Sequence, residues 1–142
     1  MVAVTALTPE DIEFLGRPLY GFFTVATGAV PPQPRPVWFE VTAGRTVELI
    51  TEPGAAKVRR LRTDPRASLV VTTEVGERER WVSVAGRTSI ESEGAHELTN
   101  RLAARYWDLG DATRAAELEA MLGADLLRVV IHPEKVTRYS TT

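Results

Sequence analysis

A chain of 142 residues carrying 44% hydrophobic and 25% charged residues, with a formal net charge of −2, has the size and balance of one globular domain, in which roughly 70% of the unfolded surface can be buried. These proportions exclude a disordered tail, a coiled coil and a fibrous array, and near-neutrality argues against the strongly basic face of a nucleic-acid binder. Cysteine is absent and His96 and His132 are the only imidazoles, so disulfides are excluded and a zinc site is not expected.

No apolar run approaches the roughly 18 residues of a membrane helix. The segment from Met1 to Thr8 lacks the basic flank and long apolar stretch of a secretion signal. A cytoplasmic protein with neither a membrane nor a nucleic-acid partner is therefore expected. Positive charge is local: Arg59, Arg60, Arg62 and Arg66 follow Lys57, which is one of two lysines, the other being Lys135.

In chain order, Thr8-Pro9-Glu10-Asp11 combines a capping hydroxyl, a proline at the first helical position and an acid three residues after the cap. It predicts a helix from Pro9 to about Leu15, stopped by Gly16 and Pro18. Gly21 to Thr27 is β-rich and is closed by Gly28 and Pro31, Pro32 and Pro34. Arg35 to Val41 alternates, with Val37, Phe39 and Val41 on one face and Pro36, Trp38 and Glu40 on the other. Because Pro36 cannot donate to a ladder, that end of the strand is expected at an edge or facing a ligand. Ala43-Gly44 turns the chain back into a strand over Thr46 to Thr51, paired with the preceding one.

Glu52-Pro53-Gly54 breaks that strand, and Ala55 to Arg62 reads as a short helix with Val58 and Leu61 facing inward, ended by Asp64-Pro65. Strands follow at Ala67 to Thr73 and Arg80 to Ile90, joined by a charged loop around Gly76, the second strand being interrupted at Gly86. Helical spacing marks Ala95 to Tyr106 and Ala112 to Leu122, separated by Gly110-Asp111. Leu126 to Ile131 and Val136 to Tyr139 close the chain as β segments around His132-Pro133. The pattern is mainly β (α+β) in a single domain over residues 1–142, with no internal repeat or linker.

One constellation could carry chemistry. A strand, a glycine-containing turn and a basic helix present free backbone N–H groups and a positive dipole end to an anion. Lys57 lies one turn inside the helix start and could reach a phosphate resting on Gly54, Ala55 and Ala56, which permit close approach. Thr51 is a candidate hydroxyl donor. The competing explanation is an ordinary solvated basic face. Gly28 and Gly86 read as turn or bulge positions rather than a phosphate loop. Trp38 and Trp81 suit either a ring ligand or packing, whereas Trp107, His96 and His132 read as structural or surface residues.

The order Arg35-Pro36-Val37-Trp38-Phe39, Leu49-Ile50-Thr51, and Ala56-Lys57-Val58-Arg59-Arg60-Leu61-Arg62-Thr63-Asp64-Pro65-Arg66-Ala67-Ser68-Leu69 resembles the pyridoxamine 5'-phosphate oxidase-like split β-barrels, especially their deazaflavin-using branch. Arg80-Trp81-Val82-Ser83-Val84-Ala85-Gly86 is similar to that family's next barrel strand, and the likeness runs from about Leu7 to Tyr139. It implies an FMN-binding split β-barrel of six or so antiparallel strands with short flanking helices. It also implies a homodimer with the cofactor ring in a groove between protomers. By position, Arg35, Pro36, Val37 and Trp38 would flank the ring, Thr51 and Lys57 would hold phosphate beside Gly54, Ala55 and Ala56, and Arg80 or Trp81 would border the groove.

Two departures from the family pattern matter. Flavin-binding oxidases of this type usually carry serines and an arginine just before the lysine, where Gly54, Ala55 and Ala56 stand here, and this removes charge-assisted hydrogen bonds to the phosphate of FMN. The chain also ends in Val136-Thr137-Arg138-Tyr139 without the pyridoxal-phosphate signature of true vitamin-B6 oxidases. The expectation is therefore an oxidoreductase passing a hydride from reduced coenzyme F-420 to an unsaturated small molecule. The alternatives are an FMN-dependent oxidase or electron carrier, and a non-enzymatic ligand- or tetrapyrrole-binding barrel. A protein that leaves the hydride chemistry to its cofactor needs no nucleophile of its own.

Overall fold

The computed structural model describes residues 2–4 and 6–141, with side chains from residue 6 onward. Its elements in chain order are β1 (Val2–Val4), α1 (Pro9–Leu15), β2 (Gly21–Val25), β3 (Arg35–Val37), β4 (Glu40–Val41), β5 (Val47–Thr51), α2 (Ala56–Thr63), β6 (Arg66–Thr72), β7 (Arg80–Glu91), α3 (Ala95–Tyr106), α4 (Ala112–Leu122) and β8 (Leu127–Ser140). The strands form one eight-stranded antiparallel sheet in the order β3-β2-β6-β7-β8-β5-β4, with β1 added against β8. Curled on itself, this sheet is the mainly β split barrel that the strand pattern and the family likeness led us to expect.

Period-two burial fixes which face turns inward. Leu69 and Val71 on β6, Val82 and Val84 on β7, Leu49 on β5, and Val129, Ile131 and Val136 on β8 are fully buried and meet Phe39, Leu7 and Leu15 in one core. Burying each such side chain contributes about 1.5–3 kcal/mol. β7 and β8 form the spine, paired from Arg80↔Ser140 to Glu91↔Arg128 with a register shift at Ala85/Gly86. A Cβ on Gly86 would lie 1.9 Å from the His132 carbonyl oxygen, so only glycine admits this approach. The interruption read at Gly86 is thus a bulge within a continuous strand.

Helix α1 begins with the capping box foreseen at Thr8 and Asp11: Asp11 N donates to Thr8 Oγ1 (3.2 Å) and Thr8 N donates to Asp11 Oδ2 (2.8 Å). At its other end the Arg105 guanidinium donates to the carbonyls of Leu15 (2.8 Å), Gly16 (3.0 Å) and Arg17 (2.6 Å), satisfying the helix C-terminus with a cation.

Three local expectations are corrected. The strand over Arg35 to Val41 is broken at Trp38 and Phe39, because Phe39 N donates to Tyr106 Oη (3.3 Å) rather than to a neighbouring strand. Its first part therefore pairs with Gly21, Phe22 and Phe23 of β2, and only Glu40 and Val41 pair with β5. The two closing segments form one strand, β8, continuous through Pro133. β1, to which no element was assigned, pairs with Val136, Thr137 and Arg138, so the sheet has eight strands instead of six or so.

β3 lies at the sheet edge, as the missing N–H of Pro36 requires. No helix among the described residues is long and apolar enough to cross a membrane.

Candidate functional site

Helix α2 starts where Pro53 and Gly54 end β5, with Ala55 at the N-cap in an extended conformation (φ −66°, ψ 147°). Alanine offers no side-chain acceptor, so no side-chain cap satisfies the first turn. Ala55 N donates to the Glu52 carbonyl (3.1 Å) and Val58 N to the Ala55 carbonyl (3.1 Å), which leaves the N–H groups of Ala56 and Lys57 to an external anion. Val58 and Leu61 anchor the helix to the core. That anchorage turns Lys57 and Arg60, three residues apart and hence on a common helical face, toward the β2–β3 hairpin.

Between α2 and this hairpin lies a cavity of about 270 Å³ lined by Phe23, Val25, Gln33, Arg35, Ala55, Ala56, Lys57 and Arg60. Three cations face it and none of the lining residues is a carboxylate. The Lys57 ammonium stands 5.5 Å from the centroid of the Phe23 ring. Burial pulls its pKa below the ordinary lysine value, as expected for a cation removed from water. Arg35 is steadied by Gln33 Oε1 (2.8 Å) and the Pro34 carbonyl (3.3 Å). A cavity of this size, just below the usual range of about 300–1,000 Å³ for small-molecule sites, and lined by three cations suits an anionic group and its tether.

The other sequence-derived positions are distributed as follows. Gly54 borders the turn with open space where a Cβ would stand, and its carbonyl accepts from Arg59 Nη1 (2.9 Å). Thr51 is buried at the end of β5, its hydroxyl reaching only the Glu52 carbonyl (3.5 Å), and it is not among the lining residues. Pro36 is exposed on β3, and Val37 packs on the core.

Trp38 is stacked on Tyr106 (5.2 Å between centroids, 2° between planes) and meets Trp107 edge-on (4.7 Å). Tyr20 stacks on the same Tyr106 ring at 5.9 Å. Arg80 lies over the Phe14 ring (4.5 Å) and donates to the Glu10 carbonyl (3.2 Å), away from Lys57, in a separate cavity beside α1. Trp81 stands on the outer sheet face, stacked with Tyr139 at 6.1 Å.

Within one chain, then, the cavity gathers Arg35, Ala55, Ala56 and Lys57 but not Trp38, Arg80 or Trp81. It adds Phe23, Val25, Gln33 and Arg60, which had not been singled out. The spacing of Lys57 and Arg60 carried a signal for Arg60, and the alternation of β2 places Phe23 and Val25 on one face. Nothing local announces Gln33. Among the described residues no group of three or more His, Asp or Glu is placed to hold a metal ion.

The outer face of the sheet has its own regularity. Cross-strand register aligns Phe22, Val70, Ser83 and Thr137 in one row, Thr72, Trp81 and Tyr139 in a second, and Thr24, Ser68, Ala85 and Lys135 in a third. Lys135 is the single charge among them.

Comparison with known proteins agrees with this fold. No curated protein matches the chain. Among solved structures it is similar to an F-420 reductase (22% identity, TM-score 0.68, covering 88% of this chain and 94% of that one). It is similar also to a conserved hypothetical protein of Mycobacterium tuberculosis (19%, TM-score 0.70, 96% and 86%) and to a FAD-binding protein of Mesorhizobium loti (21%, TM-score 0.66, 100% of both). At these identities the likeness establishes the architecture. The family described as pyridoxamine 5'-phosphate oxidase matches residues 7–137, nearly the whole chain and the span over which the sequence motifs lie, and the chain belongs to that family.

Proposed function

We propose that this protein is an oxidoreductase that binds the deazaflavin coenzyme F-420 and uses it to reduce an unsaturated small molecule. The observation that carries the reading is the carboxylate-free cavity of Lys57, Arg35 and Arg60 at the uncapped start of α2. Lys57 and the first-turn N–H groups would hold the phosphate, a charge-assisted arrangement. Ala55 and Ala56 keep that approach clear without adding hydroxyl donors. When bound, the cofactor supplies the hydride. The protein binds, orients and excludes water.

With the phosphate in this cationic cavity, the ring would lie along β3 and against a second protomer, and the protein would act as a homodimer. Support comes from the outer sheet face, where Phe22, Val70, Trp81 and Tyr139 stand among small neutral residues. Apolar side chains gathered on one face in this way suit a contact between two copies of the chain. The similarity to an F-420 reductase favours the deazaflavin.

Titration with oxidised F-420, followed by its fluorescence, tests the reading: micromolar binding is expected, and no binding at tens of micromolar overturns it. FMN is the second reading, favoured by the presence of three cations suited to a doubly charged phosphate. A purified protein that is yellow and releases FMN on denaturation would establish it.

A further inference from the structure

Arg60 is placed unlike the other cations of the cavity. Its side chain runs along the backbone of Gly28: a Cβ at Gly28 would lie 2.3 Å from Arg60 Nε, 2.6 Å from Cδ and 2.7 Å from Cζ. Gly28 holds φ at +110°, a conformation that favours glycine, and a Cβ there would push the guanidinium arm off its seat. One residue earlier, Thr27 Oγ1 donates to the Arg60 carbonyl (3.2 Å). The loop of residues 26–34 is thus fastened to α2 at one residue, by a contact with the Arg60 side chain and a hydroxyl hydrogen bond to the Arg60 carbonyl.

Among the described residues, the Arg60 guanidinium has neither a carboxylate nor a carbonyl partner. A guanidinium offers five donors. Here they are held against a glycine at the wall of a cavity whose other cations are Lys57 and Arg35. The same loop contributes Gln33 to the opposite wall, and Gln33 in turn braces Arg35 (2.8 Å). One side chain therefore touches both the place where an anion would sit and the segment that shapes its far wall.

We propose that Arg60 is a ligand-binding residue for a phosphate ester in this cavity, and that its seat on Gly28 couples occupancy of the cavity to the position of loop 26–34. The inference rests on the reading that the cavity is the anion subsite of the cofactor. An anion drawn between Lys57 and Arg60 orders the guanidinium, and the guanidinium orders the glycine turn beneath it. Gln33 and Arg35 then close from the other side.

Two probes separate this inference from the cofactor reading. The first is inorganic phosphate, added at up to tens of millimolar to protein labelled for observation of arginine Nε–H resonances. The Arg60 resonance is expected to shift with saturation, and amide exchange over residues 26–34 is expected to slow at least threefold. The second is oxidised F-420, whose affinity should fall about tenfold or more in Arg60→Gln, recover in part in Arg60→Lys, and fall likewise in Gly28→Ala.

An Arg60 response to phosphate in a protein that binds no F-420 sustains the inference and overturns the cofactor reading. F-420 binding that is equal in Arg60→Gln and wild type, but lost in Lys57→Ala, overturns the inference and leaves that reading standing. A phosphate response at Arg60 with unchanged exchange over residues 26–34 overturns the coupling.

Discussion

Lys57 Nζ stands over the face of Phe23 at 5.5 Å from the ring centroid, half-buried, with no carboxylate paired to it among the described residues. A cation on an aromatic face keeps part of the interaction it loses with water, yet burial still lowers its pKa. Lys57 therefore carries a desolvation cost in the free protein, the kind of cost that a binding residue imposes.

Replacing Lys57 by Met is expected to weaken cofactor binding about 10–100-fold, the loss of one hydrogen bond to a charged group worth about 1.5–3 kcal/mol, while raising Tm. The sign follows from linkage. With the folded pKa depressed, the unfolded chain binds more protons between the two pKa values, so wild-type stability rises with pH across that alkaline window, and Lys57→Met loses the rise. Ligand affinity runs the opposite way, falling as Lys57 deprotonates. Lys57→Arg should flatten that fall. Binding titrations and thermal melts from neutral to alkaline pH check both trends.

Asp11 is 1% exposed and receives two hydrogen bonds from Arg138, at 3.0 Å and 2.5 Å, while closing the capping box of α1 with Thr8. Burial pushes its carboxyl pKa up, but the Arg138 and Thr8 hydrogen bonds together outweigh it and hold the pKa below the ordinary aspartate value. This stability is present above the unfolded pKa of about 3.9 and is lost as pH falls through the folded one. Asp11→Asn is expected to cost about 1–3 kcal/mol at neutral pH, since Arg138 keeps access to water, and to remove its own share of the acid limb. Asp64 and Glu77, also held below their ordinary pKa values by arginines, contribute the rest. Urea unfolding at neutral and acid pH measures both effects.

Tyr106 Oη donates to the Leu19 carbonyl (2.7 Å) and accepts from Phe39 N (3.3 Å). Tyr106→Phe keeps the ring stacked on Trp38 but leaves two backbone groups without their partner. The expected cost is about 1–3 kcal/mol, with faster amide exchange at Phe39. A variant as stable as wild type would show that another acceptor takes this N–H.

That hydroxyl also explains where the sequence misled. Residues 35–41 alternate as cleanly as any strand in the chain, and Phe39 and Trp38 do point to opposite sides. Alternation reports which face a side chain takes, not which partner the backbone finds. The partner of Phe39 N lies 67 positions away. Elements whose signals are local were legible: the Thr8–Asp11 cap, the two helices separated at Gly110-Asp111, and the Gly86 bulge. The cavity was half legible for the same reason. Arg35 and Lys57 stood in a recognisable run, whereas Arg60 acquires its place from contact with Gly28, and Trp81 from a sheet face that no short window displays.

Trp81 is stacked on Tyr139 and paired in register with Thr72 on the outer face of the sheet. Phe22 and Tyr139 remain 38% and 42% exposed there, aromatic surface that the proposed second protomer would cover. If the chain pairs through this face as proposed, Trp81→Glu splits the pair without unfolding the chain, since the inward residues Val82 and Val84 are untouched. Light scattering after size exclusion should then give the monomer mass of 15.6 kDa with an unchanged far-ultraviolet spectrum. If the ring site is completed by the second protomer, cofactor affinity should fall with dimer dissociation and recover at high protein concentration. A Trp81→Glu protein that stays dimeric would place the interface elsewhere. A monomer that binds the cofactor as tightly as the wild type would show that one chain suffices.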